Sequence, residues 1–258
     1  MRAGAGDYQA RKNWYEHATA HSSSSEKVGP NVVSGVMPDQ IGLIETIRVR
    51  EGLLPWLGRH LTRLRASLVA LGAPEPPPEL ADLVRFAAGA GDRVVRVELT
   101  DGHAAIATRE VNSERAIRIV VSPEMHRPYP HKTTRREQFG RALAGARRAG
   151  AHDAVLVTAQ GFVAEGTAWN LFWWDKGNLC TPAAALGILP GLGRERIMEL
   201  ADVTEQQVPV AAITGRSLFL VNAVRGIVEI DVFEGTPVRR DPRTAELARS
   251  FWPVGNQD

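Results

Sequence analysis

A proline-rich segment near the middle of the chain sets the strongest limit on how this sequence can fold. Three prolines lie between Ser122 and His131: Pro123, Pro128 and Pro130. Because proline has no backbone N–H and restricts the residue before it, this segment suits neither a helix nor an interior strand. The sequence therefore predicts an interdomain linker at 123–131, between a small N-terminal domain at 35–122 and a C-terminal domain at 132–258.

The half before the linker mixes strand and helix patterns. Leucines recur at spacings of four and three from Leu57 to Leu71, which is one apolar helix stripe that ends at Gly72. Asp101-Gly102 is a short hairpin signal between two strand patterns. The predicted elements are strands at 44–49, 94–100, 103–108 and 117–121 and helices at 57–71 and 79–89.

The half after the linker shows the same mixture without a repeating strand–helix–strand rhythm. Its predicted strands lie at 154–158, 163–165, 171–174, 179–181, 217–222 and 228–232, and its predicted helices at 135–148 and 192–200. An irregular order of this kind favours an α+β protein over a doubly wound parallel sheet. Residues 1–34, which include the run Ser22 to Ser25, show no hydrophobic period and are predicted to be a flexible leader or linker.

The composition excludes several classes of protein. The formal net charge of +2 argues against a nucleic-acid binder that relies on bulk charge. The single cysteine, Cys180, excludes a disulfide framework and a cysteine-built zinc site within one chain. The seven histidines are scattered, so no metal site is predicted. There is no apolar run long enough for a membrane span and no secretory signal, so we expect a cytoplasmic protein.

The segment from Glu165 to Asn170 carries a carboxylate at a predicted strand end and an amide five residues later. By itself such a pair is more often an ordinary surface turn. Further along, Leu189-Pro190-Gly191 leads directly into a helix. Glycines allow close backbone approach, and the free N–H groups at a helix N-terminus favour a phosphate. For the glycines alone, a plain helix-entry turn is again the commoner reading.

Taken in order, these features resemble the signature of the class IV aminotransferases, which are fold-type IV pyridoxal-phosphate (PLP) enzymes. The residues that carry the resemblance are Lys132, Glu165, Asn170, Thr181, Gly191 and Arg194. The family includes branched-chain aminotransferases, D-amino acid aminotransferases and 4-amino-4-deoxychorismate lyases. The resemblance implies the two-domain fold of D-amino acid aminotransferase, with a small N-terminal α/β domain and a larger C-terminal PLP-binding domain built on a barrel-like sheet. It also implies a homodimer in which the partner chain walls part of each site.

The resemblance implies roles for three of these residues. Lys132 would be the lysine that bonds covalently to PLP, and Glu165 would pair with the pyridine nitrogen of the cofactor. Asn170 would support Glu165 from the next strand, although a satisfied turn amide is an equal alternative. A lone lysine is usually a solvated surface group, but Lys132 directly follows the linker, where the family places its reactive lysine. Lys176 is the only other lysine after it.

The resemblance also implies a phosphate cup. Arg63, in His60-Leu61-Thr62-Arg63-Leu64, resembles the phosphate-binding arginine of the family. The alternative is that Arg63 is an ordinary exposed arginine of a helix. The backbone N–H groups of Leu192 and Gly193 would form one side of the cup, and Asn222-Ala223 the other. The family often has threonine where Gly193 stands, and some members have serine or threonine where Ala223 stands, so two hydroxyl contacts are absent here.

Several details resemble the 4-amino-4-deoxychorismate lyases most. His131-Lys132-Thr133-Thr134-Arg135-Arg136 is similar to the K-T-T-x-R form of that branch, and Asn222-Ala223 followed by Arg225-Gly226-Ile227 also resembles it. The segment 41–48 is similar to lyase modules fused behind aminodeoxychorismate synthase. This resemblance implies a lyase that releases pyruvate and forms 4-aminobenzoate for folate synthesis, paired in function with such a synthase.

One departure leaves the substrate open. Thr100-Asp101-Gly102 replaces the common T-R-G, so an arginine that would bind a substrate carboxylate is missing. Arg48 and Arg96 are the candidate replacements, and Thr46 is a further candidate substrate contact. Two alternatives to the lyase therefore remain: a transaminase of D- or branched-chain amino acids, and a non-catalytic protein that keeps the fold.

Overall fold

The structure, a computed structural model, describes residues 41–111 and 117–253. The predicted leader at 1–34 lies outside these residues. In chain order the elements are β1 (Leu43–Val49), α1 (Leu57–Leu71), α2 (Leu80–Ala88), β2 (Arg93–Thr100), β3 (His103–Arg109), β4 (Arg118–Met125), α3 (Glu137–Arg148), β5 (Asp153–Val157), β6 (Val163–Gly166), β7 (Asn170–Asp175), β8 (Asn178–Pro182), α4 (Leu192–Leu200), β9 (Val203–Gln206), α5 (Val210–Ile213), β10 (Ser217–Asn222), β11 (Gly226–Glu229), β12 (Val232–Phe233), β13 (Thr236–Pro237) and α6 (Pro242–Ser250).

The first sheet is antiparallel, in the order β1-β2-β3, and is covered on one face by helices. Leu43 and Ile47 of β1 and Val95 of β2 share a core with Leu64 of α1. Because side chains alternate along a strand, Thr46 and Arg48 lie on the opposite face of β1. The register places Thr46 directly opposite Arg96 of β2, so that face carries all three predicted substrate-side residues.

Two five-stranded sheets form the rest of the described chain, in the orders β11-β10-β7-β8-β9 and β13-β12-β4-β5-β6. They share one hydrophobic core, to which Ile119 and Val155 contribute from one sheet and Leu171 and Leu220 from the other. Helix α3 covers the outer face of the sheet that contains β4 and β5, and helices α4 and α6 cover the outer face of the sheet that contains β7 and β10. Strands β5 and β7 are therefore buried on both faces, which explains their continuous apolar runs.

The α+β class is confirmed, and several elements match their predictions closely. Helix α1 ends at Gly72, which adopts the left-handed conformation that favours glycine. The β2–β3 hairpin turns at Asp101 and Gly102, both with positive φ, as the sequence signal requires. No helix of residues 41–111 and 117–253 is long and apolar enough to cross a membrane.

Strand β4 differs from its prediction. It continues to Met125, into the segment predicted to be linker, and it pairs in parallel with β5 and β12 and not with the strands of the first half. The β4–β5 register shifts between Val121 and Met125, so the ladder is irregular around Pro123, which has no N–H to donate. The local sequence pattern of β4 does not encode which strand it pairs with. The division into two domains and a linker stays a prediction.

Candidate active site

The loop between β8 and α4 is the point at which three of the predicted cofactor residues meet. The N–H of Leu189 donates to both carboxylate oxygens of Glu165, at 3.3 and 3.2 Å. The Leu189 carbonyl accepts from Nδ2 of Asn170 at 3.0 Å. The next carbonyl, that of Pro190, accepts from Nη1 of Arg63 at 3.1 Å. The fold therefore brings Arg63, Glu165 and Asn170, which are far apart in sequence, to one loop.

Gly191 and Gly193, on either side of the first residue of α4, have no room for a side chain. A Cβ on Gly191 would lie 2.1 Å from Oδ1 of Asn170. A Cβ on Gly193, in the first turn of α4, would lie 2.9 Å from the carbonyl carbon of Asn222. The glycine at 193 is therefore a packing requirement of this chain. It lets the N-terminus of α4, with its free N–H groups, lie against the end of β10.

The Asn222 side chain is used within its own turn. Its Oδ1 accepts from the N–H groups of Val224 and Arg225, at 3.0 and 2.8 Å, and its Nδ2 donates to the carbonyl of Ala168 at 3.2 Å. The side chain thus fixes the β10–β11 turn against the loop after β6. On this side of the predicted cup, the turn therefore presents backbone groups to a ligand, because the Asn222 side chain is already hydrogen-bonded within the protein.

Arg63 is held by a buried carboxylate that the sequence analysis missed. Nε and Nη2 of Arg63 donate to the two oxygens of Glu45, at 2.8 and 2.6 Å, and Nδ1 of His60 lies 2.6 Å from Oε2. Burial by itself raises the pKa of Glu45, but Arg63 and His60 together lower it to about 2. Burial lowers the pKa of His60 more than Glu45 raises it, so His60 is a neutral donor. These contacts orient the guanidinium toward the loop.

A sequence signal for Glu45 did exist. Glu45 lies on the core-facing side of β1, between Leu43 and Ile47, and a carboxylate is almost never buried at such a position without a partner. His60 sits one helical turn before Arg63 on α1, and both side chains reach the same carboxylate. In the sequence analysis, the leucine stripe of α1 drew attention away from His60 and Arg63, which lie beside it on the same helix.

Lys132 lies where the chain crosses the start of β1. Its carbonyl accepts from the N–H of Ile44 at 2.7 Å, and Thr134 exchanges hydrogen bonds with Gly42. Among the described residues, the Lys132 amine makes no hydrogen bond and no ion pair. Burial, reinforced by the cations Arg136, Arg63 and Arg96 and opposed by Glu45, lowers its pKa to about 7. A large fraction of the amine is therefore neutral and nucleophilic near neutral pH.

Arg136, the arginine of the K-T-T-x-R form, has contacts to which the sequence analysis assigned no role. Its Nη2 donates to the Thr167 carbonyl at 2.5 Å, and its guanidinium lies over the Phe139 ring at 4.9 Å. It therefore connects the start of α3, just after Lys132, to the segment that carries Glu165 and Asn170. Among the charged neighbours of Lys132, it contributes most to the lowered pKa of the amine.

Glu165 is buried and is held from two sides. Besides the Leu189 N–H, its Oε1 lies 3.0 Å from Nε2 of His126, a buried histidine that the sequence analysis did not single out. Burial raises the pKa of Glu165, and the His126 hydrogen bond opposes that shift. His126 directly follows β4, in the segment predicted to be a linker. The sequence analysis therefore gave no reason to expect a buried histidine there.

The three predicted substrate-side residues lie together on one face of the first sheet, and each arginine pairs with an acid, although Nε and Nη1 of Arg48 are buried without a hydrogen-bond partner among the described residues. Nη2 of Arg48 lies 2.5 Å from Asp92, and Nη2 of Arg96 lies 2.9 Å from Glu98. Arg96 is among the cations that lower the pKa of the Lys132 amine, and Arg48 is not among the largest contributors. Of the two, Arg96 is therefore the stronger candidate for an electrostatic effect on the reactive amine.

The sequence pattern of the family "amino-transferase class IV" matches residues 42–233. The chain belongs to the class IV aminotransferases. This member is 29% identical over 143 residues to a probable branched-chain-amino-acid aminotransferase of Thermotoga maritima, a match that covers 51% of this chain and 50% of the relative. The match with this class IV chain thus spans about half the length of that curated relative.

Solved structures show the same fold. The branched-chain aminotransferase of Thermoproteus uzoniensis superposes with a TM-score of 0.74 at 23% identity, over 82% of this chain and 84% of that one. A putative 4-amino-4-deoxychorismate lyase of Legionella pneumophila superposes with a TM-score of 0.71 at 22% identity, over 80% and 88%. The fold of this class IV member is therefore that of the fold-type IV PLP enzymes, as the resemblance implied.

Class IV aminotransferases use PLP, and the residues of this chain fit that cofactor. Of the five N–H groups of Arg63, three serve Glu45 and Pro190, which leaves two for a phosphate. The first turn of α4 adds backbone N–H groups at the same loop. Glu165 is a buried carboxylate of the kind that pairs with a pyridine nitrogen, and Lys132 supplies an unpaired amine. Each of these groups suits one part of the PLP molecule.

Proposed function

We propose that this chain is a PLP-dependent aminotransferase whose amino donor is a branched-chain amino acid. The observation that carries the PLP chemistry is the Lys132 amine, which is unpaired among the described residues and has a pKa of about 7. The likeness to branched-chain aminotransferases supports the choice of substrate. The sequence analysis put the lyase first, and the curated relatives favour the alternative that it kept open.

The proposed roles follow from the contacts of each residue. Arg63, oriented by Glu45, and the N–H groups of Leu192 and Gly193 hold the phosphate, and Glu165 accepts from the pyridine nitrogen. PLP, when bound, supplies an electron sink for the amine-bearing carbon of the substrate. Lys132, neutral in large part near pH 7, removes the proton from that carbon as a general base.

The substrate side carries two arginines that can meet a substrate carboxylate. Arg48 and Arg96 are each paired with an acid of this chain, Asp92 and Glu98. The acids do not use every donor: Nε and Nη1 of Arg48 have no hydrogen-bond partner among the described residues, so a substrate carboxylate need not displace Asp92. Arg96 is among the cations that lower the pKa of the Lys132 amine, so we take it as the candidate partner for the carboxylate of the amino donor.

The test mixes the purified chain and PLP with leucine, isoleucine or valine and 2-oxoglutarate. Glutamate and the matching branched keto acid should form, and Lys132→Ala should abolish both, whereas Lys176→Ala, at an exposed turn, should keep full activity. A protein that takes up PLP but transfers no amino group from any of the three donors would overturn the proposal. A protein that takes up no PLP would support the non-catalytic alternative.

A 4-amino-4-deoxychorismate lyase is the second candidate, and specific motifs favour it. They are the K-T-T-x-R form around Lys132 and the segment from Asn222 to Ile227, and the lyase-titled structure also superposes well. The test supplies aminodeoxychorismate and measures pyruvate and 4-aminobenzoate, again with Lys132→Ala. Faster turnover of this substrate than of any branched-chain donor would place the lyase first, together with a functional pairing with aminodeoxychorismate synthase.

We also propose the homodimer that the family resemblance implies. Light scattering coupled to size exclusion should give a mass of about twice the 28.1 kDa of one chain. A monomeric mass at the protein concentrations used for assays would contradict this proposal.

A further inference from the structure

His126 and Glu165 form a buried pair in the candidate site, and the proposed roles give a function to Glu165 but none to His126. His126 is 5% exposed and Glu165 is 3% exposed, and Nε2 lies 3.0 Å from Oε1. The other ring nitrogen, Nδ1 of His126, is buried and has no hydrogen-bond partner within the described residues. One ring nitrogen of His126 therefore faces a carboxylate and the other faces no hydrogen-bond partner, which limits where the ring can carry a proton.

The hydrogen-bond partners decide between the two neutral forms of the ring. If the proton is on Nε2, it is donated to Glu165 and Nδ1 keeps a bare lone pair. If the proton is on Nδ1, a buried N–H is orphaned, and the lone pair of Nε2 faces a carboxylate oxygen unless Glu165 is protonated. Buried N–H groups without an acceptor are rare in proteins. The Nε2–H form therefore fits the surroundings of His126.

We propose that His126 is a positioning residue for Glu165: its Nε2–H donates to Oε1 and fixes the carboxylate, ionised, so that Oε2 faces the cofactor ring. The proposal rests on the assignment of Glu165 to the pyridine nitrogen. The Leu189 N–H, at 3.2 Å, is the only hydrogen-bond donor to Oε2 among the described residues, so this oxygen can accept another N–H. A carboxylate held at Oε1 cannot rotate away from that position without losing the His126 bond.

The remaining charged group that influences Glu165 does not replace His126. Arg136 acts on Glu165 only through its field, because its guanidinium donates to the Thr167 carbonyl and the Tyr129 hydroxyl. The backbone N–H of Leu189 cannot follow a displaced carboxylate. A side chain with an N–H at the same reach, such as glutamine, is the conservative replacement that should keep the contact.

The experiment uses the full chain before and after addition of PLP. Nitrogen-15 histidine labelling and long-range proton–nitrogen spectra identify the tautomer of His126 in the cofactor-free protein, with His126→Gln used to assign its signal. We expect the Nε2–H form. PLP affinity and the absorbance of the bound cofactor as a function of pH are then measured for His126→Leu, His126→Gln and Glu165→Gln. His103→Leu, at an exposed hairpin histidine, is the control for loss of an imidazole.

We expect His126→Leu to weaken PLP binding roughly tenfold or more and to shift the absorbance titration in the same direction as Glu165→Gln, since a hydrogen bond to a buried charge is lost. His126→Gln should bind within about threefold of the parent chain. If His126→Leu does not fold, the tautomer and His126→Gln still decide the outcome. The Nδ1–H form, or a leucine variant that titrates like the parent while Glu165→Gln does not, would overturn this role. An unchanged Glu165→Gln would instead overturn the assignment of Glu165.

Discussion

The cofactor side and the substrate side of the site differ in how their charges are paired. On the cofactor side, Glu45, His60 and Glu165 are at most 3% exposed, and each has a hydrogen-bonded partner. On the substrate side, Arg48 and Arg96 pair with Asp92 and Glu98, whose side chains are 53% and 37% exposed. The two sides therefore differ in how firmly the protein holds them.

This difference explains why the family is easier to recognise than the substrate. Buried polar networks are strong only when every member is satisfied, so they tolerate few changes. Exposed ion pairs contribute little to stability, and their residues can be exchanged at small cost. The residues that would hold PLP are thus fixed by packing, whereas those that would meet the substrate can vary within one fold.

The largest expected effect comes from breaking the network on the cofactor side. Glu45→Ala leaves Arg63 and His60 without their shared acceptor, and removal of one partner from a buried ion pair costs about 3–5 kcal/mol of unfolding free energy. Denaturant unfolding measures this loss. The matched change on the substrate side, Glu98→Ala, should cost less than about 1 kcal/mol. Equal losses in the two variants would remove the distinction between the two sides.

The same network should appear in the pH dependence of stability. The pKa of Glu45 is lowered to about 2 in the folded chain, below its ordinary value of 4.5, so its contribution is complete above pH 4.5 and is lost as the pH falls toward 2. The shift corresponds to about 3 kcal/mol. Unfolding curves recorded at several pH values should show this loss in the parent chain and a smaller one in Glu45→Gln. Parallel curves for both proteins would contradict the lowered pKa.

A smaller effect is expected at the phosphate cup. Gly193→Thr restores a residue common in the family, but its Cβ would meet the backbone of Asn222 at 2.9 to 3.0 Å. Overpacking of this kind costs about 1–3 kcal/mol. The substitution should therefore lower stability and weaken PLP binding, although it adds a hydroxyl. Gly140→Ala in α3, where a Cβ meets nothing within 4 Å, is the control and should be neutral or stabilising. Tighter PLP binding by Gly193→Thr would show that the cup has more room than the structure indicates.

Much of the secondary structure could be predicted because local patterns determine it. Helix α1 follows from its leucine stripe and Gly72, and α4 follows from the Pro190-Gly191 entry. The sequence analysis missed β9, α5, β13 and α6, and it merged β11 with β12. The missed segments are short or polar, and their conformation is fixed by contacts with other strands, such as the parallel pairing of β9 with β8.

The candidate site divides in the same way. Arg63, Lys132, Glu165 and Asn170 lie in motifs, so the resemblance could propose them. Glu45, His126 and Arg136 act through residues distant in sequence, and although Arg136 lies in the K-T-T-x-R form, no local pattern identifies such partners. Glu45 is the exception, since a carboxylate among the core positions of a strand is itself a signal. The reason for Gly193 required coordinates, because the clash is with the backbone of another strand.

The smallest expected effect tests the substrate side directly. Arg96 is among the largest contributors to the lowered pKa of the Lys132 amine and Arg48 is not, so Arg96→Met should raise the KM for the amino donor roughly tenfold, as expected for loss of one charge-assisted hydrogen bond, and leave PLP affinity nearly unchanged. Arg48→Met removes a similar charge from the same face of the sheet and should change the KM little. Steady-state kinetics of the two variants with one donor separates these outcomes. If both variants also lose PLP, the two sides of the site are coupled through the first sheet, and the weak exposed pairs hold more of the structure than their exposure suggests.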